Sequence, residues 1–269
     1  MLLSVENLSV LFHDTQSPFC AVNGISFQVD AGEIVGIVGE SGSGKSTAAH
    51  AIIGLIKRPF SEVKGSAVFD GADLISMPAG ELRRYQGKEV SIIFQEPMTS
   101  LNPTMKVGKQ VEETLRIHTH FSPEERKRRA LEVMTLADLK EPEKLYHCYP
   151  HELSGGMRQR IMIASALAAH PRLLIADEPT TALDVTIQAD ILKTLKEINR
   201  KEGTAILFIS HDLGVIHNLC QRVIVMQNGI IVEEGPVEQV FYHPEHPYTR
   251  QLIAARPTRR KLRGESSYV

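Results

Sequence analysis

The chain has 269 residues, with 30 Lys and Arg against 32 Asp and Glu, so its formal net charge is −2. A composition that is 42% hydrophobic and 23% charged lies close to globular averages and excludes collagen-like, coiled-coil and fully disordered chains. The longest apolar runs are far shorter than the roughly 18 residues that a membrane-spanning helix needs. We therefore expect one large domain or two small ones, and no crossing of a bilayer.

Charge is distributed unevenly along the chain. Residues 256–269 hold five basic residues and one acid, which leaves 25 basic residues against 31 acids in residues 1–255. An acidic body does not predict nucleic-acid binding. The Gly, Ser and Pro residues of the basic tail favour a frayed, solvated end over a patch that touches a membrane surface or RNA.

The termini and cysteines indicate the compartment. The N-terminal sequence MLLSVENL has neither a basic region nor a small-residue cleavage site, so we expect no secretory signal and a cytoplasmic address. Cys20, Cys148 and Cys220 are widely spaced and odd in number, which predicts packed or free thiols rather than disulfides or a zinc site.

The predicted strands fall into two groups. Residues 3–11 and 22–29 are typical of a half-exposed antiparallel sheet. Continuous apolar runs, typical of strands covered on both faces, follow at 34–38, 90–94, 173–176, 205–209 and 223–226. Segments of helical character separate these runs, which predicts an α/β fold with a mainly parallel central sheet. Asn228 and Gly229 predict a hairpin turn before one more strand.

Residues 98–153 differ in kind from the rest and predict a small helical subdomain inserted into the α/β core. Ser122, Pro123 and Glu125 are typical of a helix start, with a Ser cap, Pro in the first turn and Glu closing a capping box. Four basic residues, 126–129, follow directly. Because Glu124 and Glu125 precede them, we expect a solvated helix face rather than a phosphate site.

A glycine-rich loop after the strand at 34–38 matches the pattern GxxxxGK[ST] and precedes helical sequence. Glycines let backbone amides approach phosphate oxygens, and the helix N-terminus adds its positive end. Lys45 is predicted to reach the β- and γ-phosphates of a nucleotide and Ser46 to hold Mg²⁺. The predicted phosphate-binding residues are Gly39, Glu40, Ser41, Gly42, Ser43, Gly44, Lys45, Ser46 and Thr47.

The apolar run at 173–176 ends in Asp177 and Glu178. Beside a phosphate loop, Asp177 is placed to hold the Mg²⁺ shell and Glu178 to polarise an attacking water. Strand ends often carry solvated acids, so the predicted roles of these two residues depend on the presence of the phosphate loop.

The segment Leu153, Ser154, Gly155, Gly156, Met157 resembles the LSGGQ signature of the ATP-binding cassette (ABC) ATPases, with Met157 in place of the usual Gln. Ser154 is predicted to cap a helix that begins near Gly155, whose amides then face an anion. The resemblance implies that this anion is the γ-phosphate held by a second subunit, so that two ATP molecules lie sandwiched in a head-to-tail dimer.

Further positions match the motifs of the same family. Gln95 resembles the Q-loop glutamine, which senses Mg²⁺ and water. The segment 181–184, from Thr181 to Asp184, resembles the D-loop, which crosses the dimer interface. His211 resembles the switch histidine that contacts the γ-phosphate. Phe12 is our assignment for the aromatic ring that stacks on adenine, with Phe19 as the alternative. The resemblance thus implies Glu178, His211 and Gln95 as catalytic residues, and Ser46, Gln95 and Asp177 around the metal.

The resemblance extends from residue 1 to about 255 and implies a fold. We expect an α/β P-loop NTPase (RecA-like) core with an N-terminal antiparallel β subdomain and an inserted helical subdomain. A single ATPase domain would cover residues 1–269. Its parts would be the core at 1–97 and 154–234, the helical subdomain at 98–153 and a C-terminal extension with the basic tail at 235–269.

Two stretches resemble the peptide and nickel importer group: FQEPMTSLNP at 94–103 and GPVEQVF with HPEHPYT at 235–249. The resemblance implies an ATP-hydrolysing subunit that uses ATP and Mg²⁺ to power uptake. Its implied partners are two membrane permeases, a second, non-identical ATPase subunit and an external substrate-binding protein, with no nucleic acid. The implied location is the cytoplasmic face of the cell membrane, held there by the permeases.

The cargo stays open between nickel or a metal chelate and short peptides. Many peptide members continue into a Cys-rich segment, whereas this sequence has no cysteine after Cys220, which favours nickel. Six histidines are nevertheless expected to face solvent rather than bind nickel: His118, His120, His147, His151, His243 and His246. Two other classes remain: a non-transport cassette ATPase, which would be expected to carry a coiled-coil insertion or a second cassette, and a regulatory module that binds nucleotide without turnover.

Overall fold

The smaller of two sheets is antiparallel and lies at the N-terminal end of the chain. The computed structural model describes residues 1–13, 18–56, 60–96, 100–181 and 183–255. The strand order of this sheet is β2-β1-β4-β5. Its strands are β1 Leu3–His13, β2 Pro18–Val29, β4 Ser61–Phe69 and β5 Ala72–Asp73. The expected antiparallel pair is therefore present, whereas β4 is an addition: its sequence SEVKGSAVF carries charges and a glycine that hide the alternation.

The larger sheet has six strands in the order β10-β9-β3-β8-β7-β6 and is parallel except for β10. Its strands are β3 Ile34–Val38, β6 Val90–Ile93, β7 Leu173–Asp177, β8 Ala205–Ser210, β9 Arg222–Gln227 and β10 Ile230–Pro236. Asn228 and Gly229 both have positive φ and join β9 to β10, as predicted for an Asn-Gly hairpin turn. The predicted α/β fold with both kinds of sheet is thus confirmed.

Two apolar cores lie on opposite faces of the larger sheet. Alternate side chains of one strand enter different cores: Ile34 and Val38 pack with the helical side, and Val35 and Ile37 pack with the antiparallel sheet. This division follows from the two-residue period of a strand and explains why β3 is buried along its whole length.

Helices pack on both faces of the larger sheet. Their bounds are α1 Lys45–Ile52, α2 Ala79–Tyr85, α3 Val107–His118, α4 Pro123–Leu136, α5 Pro142–Leu145, a 3₁₀ turn Pro150–Glu152, α6 Gly155–Leu167, α7 Val185–Glu202, α8 Leu213–Leu219, α9 Val237–Tyr242 and α10 Pro247–Ala254. Ser122 and Glu125 form the predicted capping box at the start of α4. Helix α6 packs on both α3 and α4, so the predicted insert shares its core with the helix that follows it. Within the described residues, no helix combines the length and apolar character needed to cross a bilayer.

The basic run 126–129 corrects one prediction, because not all of it is solvated. Lys127 and Arg128 are exposed, but the Arg129 side chain is only 13% exposed. Its guanidinium donates to the carbonyl oxygens of Leu167 and Ala168, at distances of 3.4 and 3.2 Å. Arg129 therefore caps the C-terminal end of α6, where the helix leaves carbonyl groups without partners.

Four of the six histidines face solvent, as the sequence predicts, and the three cysteines differ in burial. His120, His147, His151 and His243 are exposed, whereas His118, the last residue of α3, and His246, the N-cap of α10, are half-buried. In the described part of the chain, no group of three or more His, Cys, Asp or Glu side chains is arranged to hold a metal ion. The cysteines are free thiols that range from exposed Cys20 to buried Cys220, whose pKa is raised by burial.

Candidate active site

A cavity of about 710 Å³ opens at the carboxyl-terminal edge of the larger sheet. In an open parallel sheet this edge is where ligands bind, because the loops after the strands converge there. The cavity brings together residues from β1, β2, the loop after β3, α1, the loops after β6, β7 and β8, and α10. They are Phe12, Phe19, Ala21, Gly39, Glu40, Ser41, Gly42, Gly44, Lys45, Ser46, Thr47, Gln95, Glu178, Thr181, His211 and Leu252.

The glycine-rich loop packs closely against the backbone of neighbouring strands. A Cβ on Gly39 would lie 2.2 Å from the Met226 carbonyl oxygen, and one on Gly44 would lie 2.4 Å from the Ala21 carbonyl oxygen. Gly44 also has a φ of +99°, which side chains disfavour. Helix α1 then begins at Lys45 with no side-chain cap, so its first amides remain available to an anion.

Lys45 lies under this loop and is only 4% exposed. Its Nζ donates to the carbonyl oxygens of Gly39 and Glu40, at 2.9 and 2.8 Å. Burial lowers the pKa of Lys45, while the carboxylates of Glu178 and Asp177 act in the opposite direction. The Lys45 ammonium is thus held beside the loop by hydrogen bonds to two loop carbonyl groups and by the charges of Glu178 and Asp177.

Ser46 and Asp177 meet beside the loop. The Ser46 hydroxyl donates to Asp177 Oδ1 at 2.7 Å, and His50 Nε2 lies 3.3 Å from Asp177 Oδ2. Hydroxyl and carboxylate oxygens are the ligands that Mg²⁺ prefers, so this pair fits the metal that the sequence predicts. The sequence reasoning missed His50, although its position one helical turn after Ser46 was a usable signal.

The Glu178 carboxylate lies at the edge of the cavity, where three groups converge on one oxygen. Gln95 Nε2 and the Thr181 hydroxyl donate to Glu178 Oε2 at 3.1 and 2.9 Å, and His211 Nδ1 lies 3.2 Å from the same atom. Glu178 also adopts a φ of +45°, a strained conformation for a residue with a side chain. The structure thus brings the predicted catalytic side chains of Glu178, His211 and Gln95 together. It adds Thr181, the first residue of the predicted D-loop segment.

Two aromatic rings form the other side of the cavity. Phe12 and Phe19 are register partners across β1 and β2, and both line the cavity. Phe12 is half-buried and packs on the core, whereas Phe19 is 60% exposed. Both rings are therefore available to a nucleotide base, together with Leu252 of α10, which the sequence reasoning did not foresee.

The signature residues lie outside this cavity. Ser154 caps α6 by accepting a hydrogen bond from the Met157 amide at 3.3 Å, as predicted from the sequence. A Cβ on Gly156 would lie 2.8 Å from Ile187 Cγ2, so any larger residue there would require Ile187 of α7 to move. Asp184 is the N-cap residue of α7, makes no side-chain capping bond and is exposed.

Two predicted features lie partly outside the described residues, and a third lies entirely outside them. The residues concerned are residue 182 of the D-loop segment, residues 97–99 of the FQEPMTSLNP stretch and the basic tail, 256–269.

These features define a P-loop nucleotide-binding protein: a phosphate loop, a strand with an Asp-Glu pair at its carboxyl end, and a parallel sheet between two apolar cores. Residues 22–181 match the family model described as ABC transporter. The chain therefore belongs to the ABC transporter family and is an ATPase of that family.

Curated relatives and solved structures agree with this assignment. The chain is 52% identical to the oligopeptide transport ATP-binding protein OppD of Bacillus subtilis, over 96% of this chain and 72% of that protein. It is 48% identical to the dipeptide transport ATP-binding protein DppD of Escherichia coli, over 95% of this chain and 78% of the relative. The dimeric cassette MJ0796, solved in a post-hydrolysis state with ADP and Pi, superposes with a TM-score of 0.79 at 30% identity, covering 88% of this chain and 99% of that one.

Proposed function

We propose that the chain is the ATP-hydrolysing subunit of an importer of short peptides. The similarity to oligopeptide and dipeptide transport proteins supports this cargo over the nickel or metal chelate that the sequence had favoured. Similarity at this level still leaves nickel as the second candidate, because the two importer types share the motifs at 94–103 and 235–249.

The observation that carries the hydrolytic part of the proposal is the placement of Glu178. Its carboxylate is held by Gln95, Thr181 and His211 at the mouth of the nucleotide cavity. A carboxylate fixed in this way can accept a hydrogen bond from a water molecule and orient it toward a phosphate. A protein that only retained nucleotide would not need this arrangement.

The phosphate loop supplies the binding side of the reaction. Its amides and the N-terminal end of α1 attract the phosphate oxygens, and Lys45 adds a positive charge that is already desolvated. Ser46 and Asp177 would hold Mg²⁺, which when bound supplies further positive charge against the phosphates. These groups stabilise the charge that develops as the terminal phosphate is cleaved.

The signature edge supports a two-subunit arrangement. Ser154, Gly155, Gly156 and Met157 begin α6 outside the chain's own cavity, where their amides can face a nucleotide held by a second ATPase subunit. Asp184 is exposed near the same edge. We further propose two permeases and an external binding protein as partners, and a location on the cytoplasmic face of the membrane.

Uptake by the assembled transporter tests this proposal. The complex would be reconstituted in vesicles with labelled di- and tripeptides, Ni²⁺ or a Ni²⁺ chelate, with the wild-type subunit or the E178Q variant. We expect ATP-dependent peptide uptake that E178Q abolishes. Uptake of nickel without peptides would favour the second candidate, and ATP hydrolysis without uptake of any cargo would contradict a transport function.

A further inference from the structure

Helix α10 contacts the phosphate loop although the two are far apart in sequence. The Tyr248 hydroxyl oxygen accepts a hydrogen bond from the Glu40 amide at 2.9 Å. Tyr248 is only 5% exposed, so solvent does not compete for this bond. Burial raises the pKa of Tyr248, which keeps the phenol neutral.

The amide that Tyr248 binds belongs to the peptide group that holds Lys45. The carbonyl oxygen of Gly39 and the amide of Glu40 are two ends of one planar peptide unit. Lys45 Nζ donates to that carbonyl at 2.9 Å. A continuous chain of hydrogen bonds therefore runs from the ammonium, through one peptide plane, to the Tyr248 hydroxyl.

Helix α10 is itself anchored to the larger sheet. Glu233 of β10 accepts hydrogen bonds from the amides of Glu245 and His246, at 2.9 and 3.0 Å. The His246 side chain caps α10 by accepting a bond from the Tyr248 amide at 3.2 Å. The tyrosine is thus held at its backbone as well as at its hydroxyl.

The same face of α10 reaches the nucleotide cavity directly. Leu252 lies one helical turn after Tyr248 and lines the cavity beside Phe12 and Phe19. A small displacement of α10 would therefore change both the orientation of the 39–40 peptide and the wall of the cavity.

We propose that Tyr248 is a positioning residue for ATP binding, which acts by fixing the peptide plane that holds Lys45. The proposal rests on ATP binding at the cavity described above and extends it to α10. Loss of the hydroxyl frees the peptide to rotate, so that Lys45 and the loop amides are less well arranged for phosphates. The effect falls on binding, because Glu178 and its three partners are untouched.

The test compares Y248F with Y242F, which removes a hydroxyl from a tyrosine that is 64% exposed and lies outside the cavity. For Y248F we expect the KM for ATP to rise about threefold to tenfold, which corresponds to one lost hydrogen bond, with kcat changed by less than about twofold. Amide hydrogen exchange at Glu40, followed by NMR, should become faster in Y248F and stay unchanged in Y242F.

Several outcomes would overturn the proposal. If Y248F leaves both the KM for ATP and the hydrogen exchange of the Glu40 amide unchanged, Tyr248 has no positioning role. The same conclusion follows if Y248F lowers only the thermal stability. If Y248F does not fold, E233Q replaces it. Faster hydrogen exchange at the Glu245 and His246 amides would show that α10 is loosened in that variant. A normal KM for ATP in E233Q would then also contradict the proposal. Failure of the wild-type chain to bind ATP would instead contradict the proposed function.

Discussion

The nucleotide cavity and the signature edge are built in opposite ways. The cavity is made by long-range packing: Gly39 and Gly44 lie against carbonyl groups of other strands, and its charged side chains come from α1 and from the loops after several strands. The signature edge depends more on local structure, because Ser154 caps its own helix, and its contact with α7 is made through Gly156 and Ile187. The cavity can bind a ligand with residues of this chain, whereas the signature edge presents amides that do not line the chain's own cavity.

The largest expected effect falls on the cavity. E178Q should lower kcat by about 10²- to 10³-fold, because an amide cannot accept a proton from water as a carboxylate does. ATP binding should remain, since Lys45 and the phosphate loop are unchanged. ATPase assays with nucleotide-binding measurements check this, and E81Q is the matched control, because Glu81 is an exposed residue of α2 outside the cavity. An E178Q rate near that of the wild type would exclude Glu178 as the general base.

The next effect separates the two regions. S154A should lower the ATPase rate of the assembled complex about tenfold to 100-fold through loss of a hydrogen bond to a charged phosphate, while the isolated subunit binds ATP normally. S122A is the matched control, because Ser122 caps α4 in the same way and lies elsewhere. Each variant should lose about 1 kcal/mol of unfolding free energy. Equal ATPase rates for the two variants would mean that Ser154 is only a cap.

A smaller effect is expected at Thr181, which supplies one of the three contacts to Glu178 Oε2. T181V should lower kcat about threefold to tenfold and leave the KM for ATP unchanged, because Gln95 and His211 still hold the carboxylate. Steady-state kinetics measure this split. T135V should behave as the wild type, because the Thr135 hydroxyl donates to the Leu131 carbonyl oxygen of its own helix and lies outside the cavity. A change in KM alone would show that Thr181 serves binding.

The smallest effect distinguishes the two aromatic rings. F12A should raise the Kd for ATP about twofold to tenfold, as loss of one stacked ring predicts, and F19A should raise it less. Fluorescent-nucleotide titration measures both, with F60A as a control for loss of an exposed ring outside the cavity. The reverse order would assign adenine stacking to Phe19.

The sequence predicted the features that are encoded locally. The Asn228-Gly229 turn, the Ser122 capping box and the Ser154 cap depend on neighbouring residues, and their geometry followed from residue type. The fold class followed from the strands that alternate or run continuously apolar. Strand β4 was missed because Lys64 and Gly65 interrupt its pattern.

Contacts between distant segments could not be predicted from the same signals. Arg129 meets the end of α6, and Tyr248 meets Glu40 across more than 200 positions in the chain. Nothing in the local sequence of either residue specifies its partner, because the contact exists only after the helices dock. The HPYT segment indicated a subfamily but not a role in the nucleotide site.

The most direct test of the two-region account is a cryo-EM structure of the E178Q transporter closed on ATP. The account predicts that the Ser154 hydroxyl and the first amides of α6 lie within hydrogen-bonding distance, about 3 Å, of the γ-phosphate bound by the partner ATPase subunit. A closed, ATP-loaded complex in which the N-terminal end of α6 points away from any nucleotide would contradict it.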